Sequence, residues 1–329
     1  MLSKAREASE VEASTALRLR PLRQAQGPSL SVTKVRRPSF SVTKAKRGSV
    51  FVLAAMLCAT GCGRTTSDAT ASTYAGTFAL PGKTQKADAS LRVSFTSPTT
   101  AHLDLVETEK PSGATITAFD TDMTKKLHMI VISDDFSSSS FQHVHPALGG
   151  DGHFTIDLSV PAQGRYLIYA DDVPHGLGQQ VFLFDVPFGS NARATPNLVR
   201  TPKTVAAGPY TVTLSSLKLD AGQTTMLTVR IDKNGKPATD LQPYLGGAAH
   251  AVFIGASDDS YVHVHAMAGT DMSSMSMDMG EMRGLPDSAK IDPAMMLHVA
   301  APKAGAYKLW LQFRGGGQLY VAPFVLTAS

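Results

Sequence analysis

Cysteine is nearly missing from the 329 residues: Cys58 and Cys62 lie close together near the N-terminus, and no thiol follows them. A disulfide scaffold, thiol catalysis and a Cys-based zinc site are thereby excluded from everything downstream. Any metal site there must use His, Met, Asp or Glu. Basic stretches interleaved with aromatics are also missing. Of 31 Lys and Arg, 11 fall in residues 1–61, and residues 62–329 carry 20 basic against 24 acidic groups, a net of −4. Nucleic acid is therefore not an expected partner. The apolar run at 50–57 falls far short of the roughly 20 residues that span a bilayer. No helical periodicity of any length, no Gly-rich phosphate loop after a strand and no Ser-centred elbow is present, so no catalytic residue is assigned.

Residues 1–43 are rich in Arg, Ser and Ala and contain a ten-residue near-repeat, Ser31-Val-Thr-Lys and Ser41-Val-Thr-Lys. They read as translated upstream sequence, with the true start closer to Lys44, or else as a disordered tail. Lys44, Lys46 and Arg47 then precede the short apolar run, the pattern of a signal peptide over 44–61. Ala59-Thr60-Gly61-Cys62 resembles the lipobox of bacterial lipoproteins, although Ala59 stands where Leu is usual. The resemblance implies that Cys62 is lipidated, that 62–73 is a tether, and that the protein sits in the cell envelope as an outer-membrane lipoprotein facing the periplasm. With Gly63 next, no Asp signals inner-membrane retention. A secreted protein is the alternative.

From about Thr73 short runs of Val, Ile, Phe, Thr and Leu alternate with Gly, Pro, Asp and Ser. Strands are expected near 91–96, 102–107, 114–119, 127–133, 141–145, 153–160, 165–170 and 180–186. A linker follows over 191–207, and strands resume near 209–217, 224–231, 250–255, 260–265, 295–300, 306–312 and 318–326. The two halves align: Pro161, Gly164 and Tyr166 keep the spacing of Pro302, Gly305 and Tyr307. Gly-x-Tyr entering a late strand looks like the tyrosine corner of Greek-key sandwiches. The expected fold is all-β, two tandem Ig-like β-sandwiches over 74–190 and 208–329. A cupredoxin-like sandwich is the nearest rival.

One stretch occurs in both halves. A His opens an apolar strand, a Ser/Asp turn follows, and a second strand closes with His-x-His: His128 with His143 and His145, then His250 with His263 and His265. Alternation puts the two histidines of each His-x-His on one face. A hairpin turn centred between Ser257 and Asp258 sets His250 opposite His265, and one near Phe136 sets His128 opposite His145. Each half thus gathers three imidazoles, the first set being the weaker or merely structural one. Where the first copy has a short turn, the second inserts the loop 266–293, with Met267, Met272, Met275, Met277, Met279 and Met282. His298 aligns with Asp157 and is a further candidate for the patch. Asp171-Asp172 and Asp258-Asp259 read as turn residues.

Imidazole suits copper, zinc, nickel and iron, and thioether selects soft ions such as Cu(I) and Ag(I). The proposed ligands are His250, His263 and His265 with Met272, Met275, Met277 and Met279, and His128, His143 and His145 at the second position. Copper is the expected ion, with zinc or silver as alternatives. His143-Val-His145-Pro146 after an apolar strand, and Leu241 to Gly246 followed by His250 and Tyr261-Val-His263-Val-His265, resemble uncharacterised bacterial secreted proteins with Ig-like repeats. The theme is similar to periplasmic copper-resistance sandwiches, which implies copper storage, delivery or resistance, with an unidentified envelope protein as a possible partner. The alternative is an interaction or adhesion module whose histidines brace the fold. A zinc-dependent hydrolase stands third.

Overall fold

The computed structural model describes residues 71–268 and 284–329. Cys62, the signal segment and Met272, Met275, Met277 and Met279 lie outside the described residues. The first half contains β1 (Ala71–Ala75), β2 (Thr77–Phe78), β3 (Ala87–Ser97), β4 (Thr100–Glu109), β5 (Leu127–Ser133), β6 (Gln142–Val144), β7 (Ala147–Leu148), β8 (His153–Ser159), β9 (Gly164–Asp172) and β10 (Gln180–Phe188). The second contains β11 (Thr204–Ala207), β12 (Tyr210–Leu214), β13 (Lys218–Leu219), β14 (Thr224–Lys233), β15 (Lys236–Pro237), β16 (Leu241–Gln242), β17 (His250–Gly255), β18 (Tyr261–His265), β19 (Met267–Ala268), β20 (Ala294–Ala300), β21 (Gly305–Gly315) and β22 (Gln318–Ala328).

These strands form four sheets, two per half. Sheet I runs β1-β3-β4-β8-β7 and sheet II β2-β10-β9-β5-β6. Sheet III runs β11-β12-β14-β20-β19 and sheet IV β13-β22-β21-β17-β18. The protein is all-β, and each pair of sheets encloses its own core. Leu91, Leu103, Phe154 and Phe184 fill the first, and Leu227, Val229, Phe253 and Phe324 the second. The alternation of buried and exposed residues along β3, β4 and β14 reflects one core face and one solvent face. Both expected tyrosine corners are present: Tyr166 donates its hydroxyl to the carbonyl of Ala162, and Tyr307 to that of Lys303, each at 2.9 Å.

Sheets II and IV depart from that alternation. β5 and β17 are buried almost end to end, as expected of strands covered on both faces. A third core explains it. Ile130, Ile132, Tyr169 and Val181 on the outer face of sheet II pack with Val252, Ile254, Tyr261 and Trp310 on the outer face of sheet IV. Phe141 stacks on Trp310 with centroids 5.2 Å apart, and Tyr169 on Tyr261 at 4.9 Å. The sandwiches are therefore joined face to face, and the described residues belong to one compact unit.

Two sequence expectations change. Residues 114–119 form isolated bridges at Thr115 and Phe119 instead of a strand. Thr204–Ala207, expected in the linker, forms an edge strand on β12. The remaining irregular segment is tied to both halves: Asn197 N donates to Asp135 O, and the Thr201 hydroxyl accepts from Val325 N.

Candidate metal centre

The hairpin registers place His250 opposite His265, and the pairing of Ile130 with His143 carries His128 opposite His145 when continued two residues. Both registers are those the turn positions imply. The two clusters, expected as separate patches, meet at one end of the face-to-face seam. His128 lies within 6.1 Å, centroid to centroid, of all five other rings. The three-residue sets could not close a buried site alone; joining sheets II and IV completes it.

Four rings form the inner set. One ring nitrogen each of His128, His143, His250 and His263 lies within 4.8 Å of the others. The opposite nitrogen of each ring is already bonded, and those bonds fix the tautomers. His128 Nε2–H donates to Asp122 O at 3.3 Å, and His250 Nε2–H to Tyr244 O at 2.8 Å. Each carbonyl lies six residues upstream, in a tight turn whose second residue, Met123 or Leu245, has positive φ. Non-glycine residues adopt that conformation at a cost of about 1–3 kcal/mol, which such sites tolerate when the surroundings enforce it. Gly246, next in the second turn, has φ +81°, and a Cβ there would stand 2.7 Å from Gly284 Cα. Only glycine fits that close approach.

The remaining two rings are held crosswise. His143 Nδ1–H donates to Gln312 Oε1 at 2.8 Å, and His263 Nδ1–H to Asp171 Oδ2 at 3.2 Å. Gln312 sits beside His250 on β21, and Asp171 beside His128 on β9, so each half positions a ring of the other. With these protons placed outward, His128 Nδ1, His143 Nε2, His250 Nδ1 and His263 Nε2 turn lone pairs inward. His128 Nδ1 and His143 Nε2 are 2.9 Å apart, and His250 Nδ1 and His263 Nε2 3.3 Å. Such pairs repel unless a cation lies between them. A proton is a poor candidate, because burial and then the neighbouring rings hold His143, His250 and His263 well below the usual imidazole range.

His145 and His265 flank the inner set. His145 Nε2 is 3.3 Å from His143 Nε2, and His265 Nε2 is buried with no hydrogen-bond partner among the described residues. Burial pushes His145 down to about 3 and also lowers His265.

Sequence reasoning missed Asp171 by reading it as a turn residue. It is buried at the end of β9, where Gln179, Tyr261 and His263 all donate to it. A carboxylate holding the outer N–H of a ligand histidine orients the ring and raises its basicity. Asp171→Asn is expected to weaken metal binding about 10–100-fold. A competition titration against a chelator of known affinity reads that loss, and unchanged affinity would remove Asp171 from this role. Asp172 faces the first core beside Glu107. Burial raises Asp172 well above the carboxylate range and Glu107 to about 7, so the pair retains a proton near neutrality. The other histidines lie elsewhere: His102, His153 and His175 pair with Asp157, Asp104 and Asp120, and His298 is on the outer face of sheet III.

No curated protein matches the sequence. A solved structure of FdeC, described as a broadly conserved Escherichia coli adhesin, is 14% identical over 79% of this chain and 84% of that chain. Its TM-score of 0.23 makes the likeness too loose to bear on fold or function. The second sandwich, which contributes His250, His263 and His265 to the centre, is matched over residues 203–329 by the family described as a domain of unknown function, DUF8832.

Proposed function

We propose that the protein binds a transition-metal ion between its two sandwiches, and that the ion is copper. The observation that carries this reading is the convergence of four inward-facing ring nitrogens whose outer nitrogens are already hydrogen-bonded. Metal–imidazole bonds of about 2.0–2.1 Å require neighbouring nitrogens about 2.8–3.4 Å apart in square or tetrahedral geometry. The contacts of 2.9 and 3.3 Å fall in that range. For an all-nitrogen site, Cu(II) binds more tightly than the other first-row divalent ions, with zinc the next consideration. Burial first and neighbouring rings second hold His143, His250 and His263 well below the usual imidazole range, which favours the neutral form that ligation demands.

Storage, delivery or resistance in the bacterial envelope is the corresponding role, with Cys62 lipidation as the anchor. The test is the metal content of the full-length chain purified from cells grown with copper and zinc, followed by Cu(II) titration with electron paramagnetic resonance. One tightly held Cu(II) per chain, with hyperfine splitting from several nitrogens, is the expected result. Stoichiometric zinc would overturn the copper assignment. Failure to bind any divalent transition metal would overturn the site.

A further inference from the structure

We propose a second, independent metal site on the outer face of sheet III, built from Met226, Met267, Met296 and His298 and selective for a soft monovalent ion, Cu(I) or Ag(I). Met295, Leu297 and Val299 of β20 point into the second core, so Met296 and His298 point outward. Register then fixes their neighbours. Met226 on β14 lies directly across from His298, and Met267 on β19 directly across from Met296. Directly opposed side chains on one face are about 4.5–5.5 Å apart at Cβ, and diagonal ones about 7–8 Å. Long, unbranched Met side chains bridge such spacings readily.

Three features set this patch apart from incidental surface methionines. His298 Nε2 is buried and has no hydrogen-bond partner among the described residues. Met226 is 56% exposed, one of few large apolar side chains left in solvent. The first sandwich supplies an internal control. Its equivalent positions are His102 opposite Asp157 and Ala147 opposite Thr155, a His–Asp pair and no sulfur. The same lattice of four positions thus holds three thioethers and an imidazole in one sandwich, and an imidazole, a carboxylate, a hydroxyl and a methyl in the other. Thioethers with a single imidazole select d10 ions such as Cu(I) and Ag(I). Among the described residues, the strand register sets the quartet against Thr228 and its own members, none of them a carboxylate that would attract a hard cation.

The test uses the full-length chain with methyl-labelled methionine, titrated with Ag(I) and followed by nuclear magnetic resonance. The methyl signals of Met226, Met267 and Met296 and the ring signals of His298 are expected to shift together. A Met226→Thr/Met267→Ala/Met296→Thr variant should bind one Ag(I) fewer, while Cu(II) binding at the imidazole centre is unchanged. All remaining methionines are common to both proteins, so the difference isolates this quartet. Unchanged Ag(I) stoichiometry in the variant, or shifts that spare His298, would overturn the proposal. If the variant does not fold, His298→Ala is the second probe: loss of the coupled methionine shifts supports the site, and their persistence overturns it.

Discussion

Replacing His143 and His263 together by alanine is expected to lower divalent-metal affinity by about four orders of magnitude. Four-ligand structural sites bind with roughly 10–16 kcal/mol, or about 3 kcal/mol per ligand, and about 1.4 kcal/mol is a factor of ten. The variant removes two of the four inward nitrogens, one from each half. The metal dependence of thermal stability tells this apart from histidines that only brace the fold. An ion held at a thousand times its dissociation constant adds about 4.1 kcal/mol. At roughly 2–4 °C per kcal/mol, that raises the wild-type midpoint by about 10 °C. The variant should show no such rise. A wild-type midpoint that ignores metal, combined with a metal-free variant that melts much earlier, would mean that the rings are structural.

Acidification is expected to destabilise the metal-free protein steeply below about pH 6.5. His143, His250 and His263 are held well below the usual imidazole range by burial first and neighbouring rings second, His145 falls to about 3, and His265 is lowered. In the unfolded chain these rings take up protons near pH 6.5. Unfolding therefore binds protons, and the folded state loses stability as pH falls from 6.5 toward the depressed folded values. Buried carboxyls oppose this. Asp171, Asp172 and Glu107 are raised by burial, so the folded state holds their protons and their contribution fades as pH rises. The five lowered rings outnumber the three raised carboxyls, so unfolding takes up protons on balance and stability falls as pH drops below about 6.5. Urea midpoints at pH 7.5, 6 and 5 in the presence of a chelator measure it, and a flat series would sink the account.

Much of the fold was legible because period-two alternation, turn residues and an internal repeat agree along most of the chain. The strands at 127–133 and 250–255 fall where the apolar runs put them, and the hairpin centres gave the pairing of His250 with His265. What the strands do on their second face was not legible. Ile130, Ile132, Val252 and Ile254 belong to the seam between sandwiches and not to the core of either one. An apolar run announces burial but not the partner. The same gap hid the meeting of the two histidine sets and the crosswise bonds of Gln312 and Asp171, which join residues far apart in sequence. Asp171 was missed because Asp-Asp followed by Pro and Gly has the composition of a turn.

The seam also bears on how quickly an ion bound at the proposed centre could leave. An ion clasped by rings from both sandwiches cannot leave by a small swing of one against the other. That motion would expose Ile132, Val252, Ile254 and Trp310, which are fully buried, at about 1.5–3 kcal/mol per large side chain. Such a vault suits long retention better than rapid hand-off, and a residence time of hours after dilution into chelator would be its signature.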